Sequence, residues 1–194
     1  MVALRRVDHE LGERYGQALG AARRELDGAR YFRVLDDLDA LLADPPLTAR
    51  AGRPARTELP RRVRRAYRDV RRHHDLAEAA PSEAGRELAL HEVRKAAKRA
   101  RYAAEAVEPV VGEAAGGFAA AMEDVQDVLG EHRDSIVTQE VLSGTVARAR
   151  EAGEDTFALG RVFGLEEAHA AAAEASYAEA WRAASRRKLR RWTR

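Results

Sequence analysis

The sequence contains no cysteine. That excludes disulfides, thiolate zinc sites and cysteine nucleophiles. Aromatic residues are only 6% of the 194 residues, too few for an array of base-stacking platforms. Segments rich in valine, isoleucine and threonine are nearly absent, which argues against a sheet. Charge interrupts every apolar stretch well before membrane-spanning length. The first ten residues mix Arg5, Arg6, Asp8 and Glu10, so they do not read as a signal peptide, and the expected location is cytoplasmic. There is no glycine-rich phosphate loop, and no Ser-His-Asp set emerges from spacing.

What is present favours helix. Hydrophobic residues are 45% and charged residues 34% of the chain, a balance that folds rather than staying disordered. Alanine, leucine, arginine and glutamate dominate, and all are good helix formers. The expected fold is all-α: an antiparallel helical bundle with long helices and a basic groove, as one domain over 1–194. The periodicity places helices at about 3–27 and 31–43, the second with an apolar stripe of Leu35, Leu38, Leu41 and Leu42. Asp44-Pro45-Pro46 stops it, and residues 46–56 read as a linker. A third helix is predicted from about Leu59-Pro60 to before Pro81, with the proline in its first turn. Ser82 reads as the N-cap of a fourth, about 83–107, closed by Pro109 and Gly112. A fifth runs from about Glu113 to Leu129, is interrupted at Gly130 and resumes to about Arg150. The last helical stretch covers about 155–190, with a bend expected near Gly160 or Gly164.

The net charge is only +2, but it is unevenly spread. Segment 56–72 carries +6, segment 91–102 carries +4 and segment 186–194 carries +6, which leaves −14 for the rest of the chain. Such segregation reads as a local anion site on an acidic scaffold.

Two helices concentrate that charge. At 100° per residue, His91, Arg94, Lys95, Lys98, Arg101 and Tyr102 share one face of the fourth helix, opposite Leu90, Val93, Ala97, Ala100, Ala104 and Val107. An ordinary solvated face mixes signs at i,i+4, whereas Arg94, Lys98 and Arg101 repel one another along the axis. A bound polyanion offsets that repulsion, because arginine forks bind phosphate oxygens bidentately and lysine adds point charge. On the third helix, Arg61, Arg65, Arg68 and Arg72 form a second stripe, flanked by Arg64 and Arg71. It spans about 16 Å at the helical rise, which suits an extended polyanion better than one phosphate. At both stripes the alternative is a surface whose cations pair with acids of a neighbouring helix. In the segment 126–134, Gly130 implies a bend or a close helix approach. Gln126, Asp127 and Asp134 are placed to orient nearby cations, or to cap a structural junction. His132 reads equally as a surface residue or a ligand group.

The pattern His91-x-x-Arg94-Lys95-x-x-Lys98-Arg99-x-Arg101-Tyr102-x-x-Glu105, followed by Gln126-Asp127-x-Leu129-Gly130-x-x-x-Asp134, resembles the second half of a CHAD domain, the conserved histidine α-helical domain. The stretch from Tyr31 to Pro46, the arginine helix at 60–72 and the basic C-terminal helix are also similar to this family. The resemblance implies a helical bundle with a basic cavity that binds inorganic polyphosphate without catalysis. It implies a ligand role for His91, Arg94, Lys95, Lys98, Arg101 and Tyr102 and, by character rather than strict motif, for Arg61, Arg65, Arg68 and Arg72. A full domain of the family has two similar halves, each with a basic helix and a Leu-Gly junction, and this sequence shows one. The chain is expected either to lack the first helices or to obtain the partner surface from a second subunit, in a homodimer that completes the missing half.

Other functions fit the residues less well. His91-Glu92 begins like a metalloprotease motif, but Lys95 stands where the second metal-binding histidine belongs. His73 and His74 point about 100° apart on a helix, a poor metal pair. No metal or cofactor is expected, nor an enzyme. Nonspecific nucleic-acid binding at low salt is a second reading of the same cations. A third makes the chain an accessory module of an enzyme that processes polyphosphate or triphosphate. The tail from Trp181 to Arg194 reads as a last bundle helix, with an anionic lipid surface as its alternative.

Overall fold

The computed structural model describes residues 2–193, with side chains from Arg5 onward, and all their regular structure is helical. The α-helices are α1 (Val2–Leu26), α2 (Ala29–Ala43), α3 (Ala55–Glu78), α4 (Glu83–Val111), α5 (Glu113–Glu151) and α6 (Phe157–Ala184). Short 3-10 helices occupy Ala49–Gly52 and Arg187–Thr193. The chain divides into two compact units, one of Met1–Gly52 with Val141–Val162 and one of Arg53–Glu140 with Phe163–Arg194. Among the described residues no helix is long and apolar enough to cross a membrane.

The second unit holds the cationic stripes. Val63, Tyr67 and Val70 of α3 pack with Val93, Ala97 and Ala100 of α4. Phe118, Met122 and Val125 of α5 and Tyr177 of α6 complete the same core. Small residues dominate the inner face of α4, where Ala96, Ala97, Ala100 and Ala104 are all buried, so neighbouring helices approach it closely. A short turn joins α3 to α4 and makes them antiparallel. Ser82 caps α4 by accepting a hydrogen bond from the Gly85 amide at 3.2 Å, as expected. At the far end, Leu189 and Trp192 pack on the core, and the Trp192 ring meets Phe118 edge-on. These apolar contacts seat the C-terminal 3-10 helix against this unit.

In the first unit, Glu10 of α1 accepts from Thr145 at 2.7 Å and from Arg148 Nε at 2.8 Å. Arg6 forms a two-pronged pair with Glu154, each contact at 2.6 Å. Leu142, Thr145, Ala149 and Leu159 are buried. The predicted stripe Leu35, Leu38, Leu41 and Leu42 exists, but α2 buries none of its residues.

Predictions for four helices are corrected. Helix α3 begins at Ala55, so Pro60 lies inside it, buried, rather than in its first turn. The missing proline N–H costs one bond to the carbonyl four residues back, near the helix start, where the loss is small. Pro109 does not close α4, which continues to Val111 and ends at Gly112 with φ +87°. Gly130 does not interrupt α5, which is one helix of 39 residues. A glycine within a long helix weakens it without breaking it when both flanks are packed; Leu129 and Val125 are buried here. Likewise α6 is a single helix through Gly160 and Gly164 and stops at Ala184, with the rest of the predicted stretch in the 3-10 helix.

Candidate anion site

The α3 stripe is the more open of the two. Arg61, Arg65, Arg68 and Arg72 are all exposed, because Val63, Tyr67 and Val70 turn the opposite face into the core. Between α3 and α4 lies a concavity of about 570 Å³ lined by Arg65, Ala66, Arg68, Asp69, Arg72, Ala96 and Arg99. Four guanidiniums therefore face one carboxylate. Asp69 accepts from Arg72 at 2.7 Å and from Arg99 at 3.0 Å. The Arg72 hydrogen bond leads in holding the Asp69 carboxyl below its ordinary range, burial opposes it, and Arg99 adds to the lowering. Arg65 and Arg68 make no hydrogen bond or ion pair among the described residues. Arg61 lies outside this concavity and pairs with Glu58 at 3.3 Å.

The α4 stripe divides into two groups. Lys95, Lys98 and Tyr102 are exposed, while His91, Arg94 and Arg101 are half-buried. Lys95 donates to Glu92 at 2.7 Å. Lys98 Nζ and the Arg101 guanidinium sit 5.7 and 4.9 Å from the centroid of the Tyr102 ring. Arg101 also pairs with Glu123 of α5, and its Nε lies 3.6 Å from Glu105. Arg94 runs across α5 at Gly130, where a side-chain carbon would meet its Nε at 3.4 Å. The glycine thus seats a side chain rather than bending the helix. The buried Nδ1 of His91, Nε of Arg94 and Oε1 of Gln126 have no hydrogen-bond partner among the described residues. Such atoms carry a desolvation cost that a bound donor or acceptor relieves.

The two stripes therefore do not form one uniform surface. The concavity gathers Arg65, Arg68 and Arg72 with Arg99, which the motif contained but the stripe left out. Two facts explain that omission. Arg99 points toward α3 because Ala96 and Ala100 beside it are buried there, and its partner Asp69 is thirty positions away. The expectation for Gln126, Asp127 and Asp134 is corrected. Asp127 accepts from Gln126 at 3.4 Å, and no basic side chain pairs with any of the three among the described residues. The acids that meet Lys95 and Arg101 of the α4 stripe are Glu92, Glu105 and Glu123. His132 is buried at 7% exposure, away from the concavity, beside Leu90 and Gln139. His74 bonds to the Tyr177 hydroxyl at 2.7 Å and stacks on Trp181, a structural role. Among the described residues no three metal-ligating side chains converge.

An all-helical protein with an arginine-rich concavity between two of its helices is the class that fold and site define. The chain belongs to the CHAD domain family, which matches it over residues 2–143. It is similar to the uncharacterized proteins Rv2226 and MT2285, each from a strain of Mycobacterium tuberculosis, with 36% identity over 156 residues. The matched region is 79% of this chain but 28% of either relative, so the chain spans only a fraction of their length. No solved structure matches it.

Proposed function

We propose that this chain binds inorganic polyphosphate through the arginines of α3 and α4, without turning it over. The observation that carries the reading is the concavity in which Arg65, Arg68, Arg72 and Arg99 surround the single carboxylate Asp69. Like charges so placed repel in the free protein, and a chain of phosphates replaces the repulsion with charge-assisted, bidentate hydrogen bonds. Membership of the CHAD family supports phosphate chains over other polyanions. Along the cationic face of α4 only Tyr102 offers an exposed ring, and Lys98 and Arg101 already lie near it. That arrangement favours a ligand without bases to stack.

The test is a calorimetric titration with long-chain polyphosphate beside duplex DNA and RNA, matched in phosphate, at two salt levels. Polyphosphate binding that survives physiological salt while the nucleic acids fall away is the expected result. Equal, steeply salt-dependent binding of all three would reduce the site to a generic basic surface. Phosphate release measured over the same incubation tests the non-catalytic part: sustained release would overturn it.

A further inference from the structure

A second concavity, of about 260 Å³, opens on the other flank of α3. Arg64, Tyr67, Arg68, Arg71, Arg187, Arg190 and Thr193 line it, with no carboxylate among the described residues. Five arginines meet there because two unrelated constraints converge. The outer face of α3 carries Arg64, Arg68 and Arg71, while Leu189 and Trp192 dock the C-terminal 3-10 helix on the core and so deliver Arg187 and Arg190. Neither sequence segment alone reveals the cluster.

Arg190 is the fixed member. Its guanidinium lies 3.6 Å over the centroid of the Tyr67 ring. It donates to the carbonyls of Ala184 at 3.0 Å and Ser185 at 2.9 Å, at the end of α6. Its position is set before any ligand arrives. Burial leads in lowering its pKa from the ordinary arginine value; Tyr67 opposes it, and the positive field of Arg71 and then Arg187 adds to the lowering. Arg64, Arg68 and Arg187 make no hydrogen bond or ion pair among the described residues, and Arg71 has only Asp75 at 3.8 Å. These forks are free to turn toward an anion.

Arg68 lines this concavity and the one between α3 and α4. A third hollow, lined by Arg68, Arg71, Arg72, Asp75 and Leu76, shares two arginines with each of them. The hollows thus follow one another over the exposed face of α3, along about 12 Å of its axis between Arg64 and Arg72.

We infer that the polyanion track crosses α3 at Arg68 and ends in a second subsite built from Arg64, Arg71, Arg187 and Arg190. The inference rests on the polyphosphate reading and deepens it. A linear phosphate chain long enough to occupy both concavities uses every arginine of the belt, whereas a triphosphate fills only one. The device selects for chain length, and Arg190 acts as a positioning residue that fixes the far end.

The test is the double variant R64A/R187A, which removes two exposed side chains that make no hydrogen bond or ion pair among the described residues. Circular dichroism and thermal unfolding should match the wild type. Tripolyphosphate affinity should also match. Long-chain polyphosphate should bind about tenfold more weakly, the sum of two surface charge interactions. Its slope of log affinity against log salt should flatten by about 1.4, at about 0.7 for each phosphate no longer neutralised. Unchanged long-chain affinity and slope in this variant, with weaker binding in R65A/R72A, would overturn the second subsite and leave the polyphosphate reading standing. An equal weakening for tripolyphosphate would also overturn it, since both concavities would then act as one site. If the wild type binds neither phosphate chain, both readings fall together.

Discussion

The guanidinium of Arg94 lies against Gly130, with its Nε 3.4 Å and its Nη2 3.7 Å from the point where a side chain on that residue would begin. Both distances are ordinary contact, so one methyl group fits. Gly130→Ala is therefore expected to stabilise the protein by up to about 1 kcal/mol, from the helix preference alone. Gly130→Leu fills the place of Arg94 and should displace it. Thermal unfolding and polyphosphate titration of the two variants separate these effects. The alanine variant should bind like the wild type, and the leucine variant severalfold more weakly. Equal binding by both would show that Arg94 does not need its seat on α5.

Asp69 is the one acid in the α3–α4 concavity and bonds to both Arg72 and Arg99. Asp69→Asn keeps the shape and removes the charge. Polyphosphate affinity at low salt is expected to rise by about threefold to tenfold, the effect of one partly exposed charge. The same release should occur in the wild type as pH falls through the depressed pKa of Asp69. The carboxylate's contribution to folding, present above its unfolded pKa, is lost over that same range. A variant whose affinity does not change would mean that Asp69 only orders Arg72 and Arg99.

Tyr177 is buried at 2% exposure and shares a 2.7 Å hydrogen bond with Nδ1 of His74. Tyr177→Phe leaves that nitrogen without its partner and should cost about 1–2 kcal/mol in chemical denaturation. Burial lowers the His74 pKa from 6.5, so the ring resists protonation in the folded state. Its stabilising effect is whole above pH 6.5 and declines as pH falls toward the depressed value. His74→Phe should weaken that decline, and an unchanged pH profile would count against His74 as its source.

Much of this was legible in the chain. The α3 and α4 stripes could be read because a helix sorts residues by angle, and their apolar faces are the ones the core buries. The Ser82 cap was legible for a similarly local reason. The ion pairs were not. Asp69 reaches Arg99 across 30 positions and Arg101 reaches Glu123 across 22, and periodicity along one helix carries no register between two. Gly130 misled because glycine marks both a break and a close approach, and only the position of Arg94 decides between them. Pro60 misled in the opposite way. A preference for first turns placed the helix start at the proline, while the stretch from Ala55 was already helical.

Glu10 accepts from Arg148 and from the fully buried hydroxyl of Thr145. The Arg148 hydrogen bonds, opposed by burial and helped by Thr145, lower the Glu10 pKa from 4.5 to about 2. Glu10→Ala leaves the Thr145 hydroxyl without its acceptor, at an expected cost of about 1–3 kcal/mol. The sign of the pH effect follows from the lowered value. The carboxylate stabilises the fold fully above about pH 4.5 and loses that effect as pH falls toward about 2. Thermal unfolding of wild type and variant between those limits should therefore converge as the acid is titrated. Melting curves that stay separated by the same interval at both ends would mean that Glu10 acts by packing rather than by charge. The pair with Arg148 would then be a consequence of the fold and not one of its supports.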